Sequence, residues 1–267
     1  MFRFAVLGTG RIGDMHAKII HSLSDAEVTW CYDIDIDRVK KTAESVSARY
    51  TNDISKIFKS NNFDAVLIAS LTNTHVELIL KSAEYGKPIL CEKPIDVDIN
   101  KVEQCKKELL KFDVPIHIGF NRRFDPSHKY VKDSVHSGKI GDLELLVITS
   151  RDPGPPPPRP ILEACGGLFR DTTIHDFDMA RFILKEEPSE IFAMASNLVD
   201  PIFAELNDYD TSMVIMKTKS GAMCHINNSR RTNYGYDQRV EAFGKGGMVQ
   251  SNNLRPKEVS TFNDKAT

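Results

Sequence analysis

Short apolar runs alternate with amphipathic stretches between Phe2 and Gly119. Five of these runs are typical of buried strands: FAVLG, EVTWCY, FDAVLIAS, PILCE and PIHIG. Helical periodicity lies between them, around residues 12–23, 38–48, 75–85 and 99–112. Parallel strands need a crossover connection, which is nearly always right-handed. This half of the chain therefore predicts a doubly wound parallel sheet with helices on both faces.

The pattern changes after Gly119. The segment NRRFDPSHKYVKDSVHSG predicts one helix, and DLELLVITS predicts a longer, less uniformly apolar strand. Another helix is predicted over GGLFRDTTIHDFDMARFIL, and further strands over EIFAMASNLV, DTSMVIMKT, GAMCHINNS, RVEAFG and GMVQS. Helices early and strands late indicate two domains, an α/β domain over residues 1–120 and an α+β domain over residues 121–267.

A proline-rich segment, RDPGPPPPRP, lies within the second half. Four consecutive prolines favour extended polyproline geometry and exclude a helix. Residues 153–160 are therefore predicted to form a rigid loop or flap over some surface.

Composition narrows the possible partners. The 267 residues carry a net charge of −2 with 41% hydrophobic residues, so no global charge favours nucleic acid or an anionic membrane. No apolar run approaches the ~18 residues of a membrane span, and the first residues lack a signal-peptide core, which predicts a cytoplasmic protein. The five cysteines are scattered without metal-site spacing, so we expect mostly buried thiols and no metal.

The first predicted strand ends in the loop GTGRIG, which contains Gly8, Gly10 and Gly13. A glycine loop of this spacing is by itself weak evidence for a dinucleotide site. Here, however, it follows a predicted strand and begins a predicted helix, as a dinucleotide-binding loop requires. Gly8 would allow the turn, Gly10 would let the main chain approach a pyrophosphate, and Gly13 would let helix and strand pack closely. The N–H groups at the helix start would face the phosphates.

Asp33 ends the second predicted strand, where a dinucleotide fold places an acidic residue on the ribose 2′-hydroxyl. Its carboxylate would repel a 2′-phosphate, so the sequence favours NAD over NADP. Arg38 could accommodate such a phosphate, although Asp35 and Asp37 surround it with negative charge. The alternative is that residues 33–37 form only a solvated turn with a helix cap.

Glu92 and Lys93 follow a predicted parallel strand at its carboxyl end, where open α/β sheets bind ligands. A lysine there could hold a substrate hydroxyl or stabilise an alkoxide as a proton leaves. The alternative is a surface lysine at a strand end.

Asp171, His175 and Asp178 fall at i, i+4 and i+7, on one stripe of the helix predicted around them. Asp171 and His175 could therefore point together into a cleft. Removing a hydride from a secondary alcohol requires a base for the hydroxyl proton, and histidine titrates in the right range. Alternatively, Asp171 is the N-cap of this helix and His175 is a partly exposed residue in an i, i+4 pair.

The set of motifs GTGRIG, SLTNTHVEL, CEKP, GFNRRFDP and GGLFRDTTIHDFDMARF resembles the Gfo/Idh/MocA oxidoreductase family, and the last two favour its inositol dehydrogenase branch. The resemblance implies an N-terminal Rossmann domain and a C-terminal domain for substrate binding, built on an open, mostly antiparallel sheet. That sheet is implied to serve in a homodimer or homotetramer. The chain ends at Thr267, whereas the family usually continues with a further strand and helix. If that part covers an edge of the sheet, stability or assembly is expected to suffer.

The implied activity is the NAD-dependent oxidation of a secondary hydroxyl of myo-inositol or a related cyclic polyol. Alternatives are a dehydrogenase or reductase for another sugar or keto-inositol, or a non-catalytic dinucleotide-binding regulator of the same fold. The predicted cofactor residues are Gly8, Thr9, Gly10, Arg11, Ile12, Gly13, Asp33, Arg38, Ser70, Thr72, Asn73, His75, Glu92, Lys93 and Asn121. The predicted substrate residues are Lys93, Arg122, Asp152, Asp171, His175 and Tyr236, of which Lys93, Asp171 and His175 are the predicted catalytic group.

Overall fold

The structure is a computed structural model that describes residues 1–154 and 156–253. The chain divides into two compact units, the first from Met1 to Gly119 and the second beginning at Phe120.

The first unit is a six-stranded parallel sheet with strand order β3-β2-β1-β4-β5-β6. In chain order its elements are β1 (Phe2–Leu7), α1 (Arg11–Ser22), β2 (Ala26–Tyr32), α2 (Ile36–Ser45), β3 (Arg49–Thr51), α3 (Ile54–Ser60), β4 (Ala65–Ile68), α4 (His75–Glu84), β5 (Ile89–Cys91), α5 (Ile99–Leu109) and β6 (Ile116–Ile118). The doubly wound parallel sheet is confirmed. The sequence reading omitted β3 and α3.

Both faces of this sheet are covered, which explains why its strands are continuous apolar runs. Successive residues of β1 pack into different clusters, Ala5 and Leu7 on one side of the sheet and Val6 on the other. The strand order reverses between β1 and β4, which are parallel neighbours. In open α/β sheets ligands bind outside the carboxyl ends of the strands at such a reversal. We therefore expect a ligand to bind at the loops after Leu7 and Ile68.

The second unit is a six-stranded sheet with order β12-β11-β7-β10-β9-β8, in which only the β7–β10 pair is parallel. Its strands are β7 (Leu143–Arg151), β8 (Pro188–Ser196), β9 (Thr211–Thr218), β10 (Met223–Ser229), β11 (Asp237–Gly244) and β12 (Gly247–Ser251). Its helices are α6 (Pro126–His136), α7 (Arg159–Ala164), α8 (Leu168–Asp171), α9 (Thr173–Leu184) and α10 (Pro201–Glu205). The expected open, mostly antiparallel sheet is confirmed.

One face of the second sheet is covered and the other is exposed. On β9, Val214 and Met216 are buried with α6 and α9 in the core of this unit. Met213 and Ile215 point to the opposite face and are 60% and 52% exposed. This alternation is the period of two that a half-covered antiparallel strand requires.

The proline-rich segment departs from the expected loop at its end. Helix α7 begins at Arg159, and Pro160 occupies its first turn, where proline is tolerated because the N–H it lacks has no helical partner there. Pro155, part of the predicted flap, lies outside the described residues.

Three further observations concern the described residues alone. No helix among them is long and apolar enough to cross a bilayer. In the same ranges, no group of three or more His, Cys, Asp or Glu side chains is placed to hold a metal ion. All five cysteines are free thiols, and only Cys165 is not buried.

Candidate active site

The glycine turn after β1 is shaped by close backbone contacts. Gly8 has φ +95°, and a Cβ atom on it would lie 2.4 Å from the backbone nitrogen of Ser70. A Cβ on Gly13 would lie 1.9 Å from the carbonyl oxygen of Gly8. Gly10, by contrast, faces open space, with nothing within 4 Å of a Cβ built there. The turn therefore leaves room beside Gly10, at the start of α1, where the backbone could approach a pyrophosphate.

Asp33 is buried and hydrogen-bonded to the glycine turn, so it does not belong to a solvent-exposed turn. It is 6% exposed, and its Oδ2 accepts hydrogen bonds from the Thr9 backbone N–H at 2.8 Å and the Thr9 hydroxyl at 3.1 Å. The helix cap belongs to Asp35, whose side chain accepts from the backbone N–H groups of Asp37 and Arg38. Asp33 thus fixes the glycine turn to the end of β2.

The Arg38 guanidinium lies near the carboxylates of Asp33 and Asp35. Its Nη1 lies 3.6 Å from Asp33 Oδ1, and its Nη2 lies 3.1 Å from Asp35 Oδ2. Two carboxylates thus offset its charge, which leaves it less able to attract the 2′-phosphate of NADP.

The structure corrects the role expected for His75. The residue is 1% exposed, with Nδ1 2.8 Å from the Pro94 carbonyl oxygen and Nε2 3.0 Å from the Ser70 carbonyl oxygen. Because both ring nitrogens face the protein backbone, neither is available to a cofactor. His75 instead ties the loop after β4 to the loop after β5, next to Lys93.

The remaining residues of the loop after β4 are more accessible. The Ser70 and Thr74 hydroxyls are 2.7 Å apart, and a 3₁₀ turn covers Thr72–Thr74. Thr72 is half-buried and Asn73 is exposed. These positions leave Thr72 and Asn73 as predicted cofactor contacts.

Glu92 and Lys93 follow β5, which ends at Cys91. Glu92 Oε1 lies 2.7 Å from Nε2 of His16 on α1, and its carboxyl group lies 3.1 Å from a Cβ built on Gly119. Sequence reading missed His16, since nothing in the chain pairs it with a residue 76 positions away. Lys93 is half-buried and precedes Pro94 through a cis peptide bond.

The helix expected around Asp171 and His175 is two helices. Asp171 is the last residue of α8, and α9 begins at Thr173, whose hydroxyl donates to Asn228 Oδ1 at 2.8 Å. The break falls at Thr172, which is also the N-cap of α9, so Asp171 is not that cap. The i, i+4 argument for a shared stripe therefore does not apply, and a joint role for Asp171 and His175 stays a prediction.

His175 and Asp178 differ in their surroundings. The His175 ring is half-buried and meets the Phe120 ring edge to face, with centroids 6.2 Å apart. Asp178 is 7% exposed and accepts two hydrogen bonds from the Arg123 guanidinium, at 2.6 and 2.8 Å. Asp178 is therefore paired with Arg123. His175 stays the predicted general base on α9.

Arg122 is expected to face the substrate, but in the structure its guanidinium forms a buried ion pair with Asp176. Its Nη1 donates to Asp176 Oδ1 at 2.5 Å and its Nη2 to the Ser150 hydroxyl at 3.0 Å. Asp176 is fully buried and accepts a further bond from Asn228. Burial raises the pKa of the Asp176 carboxyl, and the Arg122 charge opposes that shift. Arg122 therefore stabilises the second unit, and sequence reading missed its carboxylate partner.

The other predicted residues of the second unit lie in loops. Asn121 is exposed at the start of a 3₁₀ turn, Asn121–Phe124. Asp152 follows β7, is half-buried, and donates its backbone N–H to the Ser229 carbonyl at 3.0 Å. Tyr236 precedes β11 and is 61% exposed. All three remain predicted ligand contacts.

The parallel sheet, the glycine turn with space beside Gly10 and the buried carboxylate of Asp33 are the features of a dinucleotide-binding protein. Residues 2–120 match the family model described as "Oxidoreductase family, NAD-binding Rossmann fold", and residues 128–250 match the GFO/IDH/MocA C-terminal domain. The chain belongs to the Gfo/Idh/MocA family of NAD-dependent oxidoreductases.

Several relatives of this chain are named inositol dehydrogenases. The chain is 43% identical over 260 residues to inositol 2-dehydrogenase of Rhizobium meliloti, covering 96% of this chain and 77% of the relative. The crystal structure of a myo-inositol dehydrogenase from Corynebacterium glutamicum has TM-score 0.91 and 42% identity, covering 100% and 80% of the two chains. A scyllo-inositol dehydrogenase from Lactobacillus casei, solved with bound NAD(H) and scyllo-inositol, has TM-score 0.86 and 25% identity, covering 100% and 81%.

Proposed function

We propose that this protein oxidises one secondary hydroxyl of myo-inositol or a related cyclic polyol to the ketone, with NAD as the hydride acceptor. The observation that carries the substrate class is the 43% identity to an inositol 2-dehydrogenase over 96% of the chain. The glycine turn and Asp33 support the cofactor.

The residues present fit a dinucleotide. Gly10 leaves open space at the start of α1, where the helix dipole and backbone N–H groups favour a pyrophosphate. Asp33 keeps about one acceptor site for a ribose hydroxyl, because its carboxylate has about four such sites and accepts three hydrogen bonds from the described residues. The pairing of Arg38 with two carboxylates supports NAD over NADP.

When bound, NAD supplies the acceptor for the hydride leaving the carbinol carbon. In the proposed reaction His175 takes the hydroxyl proton as general base, so the C–H and O–H bonds break while the C=O bond forms. Lys93 donates a hydrogen bond to the same oxygen and stabilises its developing negative charge. Asp171 orients the imidazole and favours its protonated form.

The test is NADH formation with a panel of inositols and aldoses, each run with NAD and with NADP. We expect turnover with at least one inositol and a preference for NAD. No turnover with any polyol, in folded protein that binds NAD, would refute the proposal. A clear preference for NADP would refute the role of Asp33.

The variants Lys93→Ala and His175→Ala distinguish an enzyme from a non-catalytic regulator of the same fold. An enzyme loses turnover in both variants, whereas a regulator keeps its binding of NAD, measured by calorimetry. A regulator would show no turnover before substitution.

We further assign the exposed face of the second sheet to self-association in a homodimer or homotetramer. Phe192 pairs with Ile215 and Met194 with Met213 across β8 and β9, so these four side chains share one face. They are between 52% and 65% exposed, and apolar patches of this kind mark interaction surfaces. In light scattering we expect an oligomer, and Ile215→Glu should shift it towards monomer. A monomeric wild-type protein would contradict this assignment.

A further inference from the structure

Arg230 is a buried arginine that follows β10 in the second unit. Its backbone N–H donates to the Asp210 carbonyl at 2.9 Å, and its side chain is only 5% exposed. The guanidinium carbon lies 5.2 Å from the ring centroid of Phe203, which is fully buried. The guanidinium is therefore fixed by packing and held away from bulk water.

The charge of Arg230 is only partly compensated. An arginine side chain stays protonated in a protein even when buried. Its Nη1 lies 3.5 Å from Asp171 Oδ2, the one carboxylate at ion-pair distance from it within residues 1–154 and 156–253. In those ranges Nε and Nη2 are buried without a hydrogen-bond partner. The main electrostatic partner of this cation is thus the Asp171 carboxylate.

Burial also decides what Arg230 can touch. Its Nε and Nη2 atoms are buried, so they cannot contact a polyol directly. The Asp171 side chain is 30% exposed and is accessible. The third guanidinium nitrogen, Nη1, faces the Asp171 carboxylate, so the charge of Arg230 acts on a reaction mainly through Asp171.

A purely stabilising role fits the environment poorly. Two unsatisfied guanidinium nitrogens oppose folding, and buried ion pairs are often replaced by apolar side chains without loss of stability. A methionine of similar length would keep the contact with Phe203. The cation is better explained by its effect on the carboxylate.

We propose that Arg230 is a positioning residue that holds the Asp171 carboxylate charged and correctly oriented for its part in the polyol oxidation. This inference rests on the proposed function, in which Asp171 orients His175. Nη1 of Arg230 acts as a fixed cation behind the carboxylate and takes no part in proton or hydride transfer.

The experiment compares Arg230→Met, Arg230→Lys and Asp171→Asn in the full chain. For Arg230→Met we expect kcat to fall about 10-fold to 100-fold, as is usual when a partner behind an active-site group is removed, with the Kd for NAD and the Tm unchanged. Arg230→Lys should recover much of the loss, because the observed contact needs only one positive charge. The matched control is Arg231→Met, the same change at the adjacent, exposed arginine, which should leave kcat unaltered.

The double variant Arg230→Met/Asp171→Asn shows whether Arg230 acts through Asp171. If it does, adding Arg230→Met to Asp171→Asn causes no further loss of kcat, and the two effects are not additive. The deuterium isotope effect on kcat, with a polyol labelled at the reacting carbon, should rise in Arg230→Met as the chemical step becomes slower than product release. A loss of folded enzyme alone would lower the apparent kcat for the labelled and unlabelled polyol equally and would not raise the isotope effect.

Each contrary result has a distinct meaning. If Asp171→Asn keeps full kcat, the role of Asp171 in the proposed function is wrong and the inference fails with it. If Asp171→Asn is slow but Arg230→Met is not, or if the two losses add, only the inference on Arg230 is overturned. If Arg230→Met lowers Tm and Arg230→Lys restores Tm without restoring kcat, Arg230 is structural.

Discussion

The two glycines of the turn after β1 give a matched pair of substitutions, Gly10→Ala and Gly13→Ala. A Cβ on Gly10 meets nothing within 4 Å and the residue has φ −61°, so alanine fits the protein without bound cofactor. Its cost is the weaker N-cap of α1, below about 1 kcal/mol. A Cβ on Gly13 would lie 1.9 Å from the Gly8 carbonyl oxygen, a backbone atom that cannot move without opening the turn.

The magnitudes follow from these contacts. For Gly13→Ala, overpacking costs about 1–3 kcal/mol, and a clash with backbone belongs at the upper end. Alanine returns about 1 kcal/mol of helix propensity inside α1. The net loss is about 2 kcal/mol, which lowers Tm by roughly 4–8 °C in a chain of this size. For Gly10→Ala the same overpacking arises only when a pyrophosphate approaches, so NAD affinity should fall about 5-fold to 150-fold.

The assays are thermal unfolding without ligand and calorimetric titration with NAD. We expect Gly10→Ala to keep the Tm within about 4 °C of wild type and lose NAD affinity. Gly13→Ala should lose stability even without NAD. Wild-type NAD affinity in Gly10→Ala would show that the cofactor does not approach Gly10, and wild-type stability in Gly13→Ala would refute the contact argument.

Three further predictions concern contacts away from the glycine turn. Replacing His75 with leucine removes the ring contacts to the Pro94 and Ser70 carbonyl oxygens. At least one of these oxygens then lacks its donor, which should cost about 1–3 kcal/mol in urea unfolding. The change should also lower kcat, because the Pro94 carbonyl is next to the proposed catalytic lysine. Arg122→Met leaves the buried Asp176 carboxylate without its positive partner and should lower the free energy of unfolding by about 3–5 kcal/mol in the same assay. A smaller loss of unfolding free energy than that of His75→Leu would contradict the ion-pair argument. The hydrogen bonds from Arg3 lower the pKa of Asp64 from 3.8 to about 2, so their stabilisation is present above 3.8 and is lost as the pH falls towards 2. The Tm difference between wild type and Asp64→Asn should therefore shrink over that interval, and a constant difference would refute the cause.

Much of the first unit was predictable because its signals are local. Strands of a parallel sheet are apolar on both faces, so each run indicates a strand without knowledge of its neighbours. Strand β3 was missed because RYT is three residues long and only Thr51 in it is buried. Its place in the sheet comes from pairing with β2, which no local pattern encodes.

The second unit was less predictable at the residues that carry chemistry. A continuous helical pattern around Asp171 concealed the break at Thr172, which accompanies a hydrogen bond from Thr173 to a residue 55 positions away. Arg122 looked like a ligand contact because it follows a strand end, but its partner Asp176 lies 54 positions further on. A buried partner so distant in the chain leaves no trace in the spacing.

The sequence by itself determined the doubly wound sheet, the glycine turn with its acidic residue, and the candidate chemistry of Lys93 and His175. These depend on short-range periodicity and on residue types at strand ends. Only the tertiary structure decided that Asp33 is bonded into the turn, that His75 faces backbone carbonyls, and that Arg230 lies behind Asp171. The physical reason is that burial and the pairing of charges depend on distances through space, which spacing along the chain does not fix.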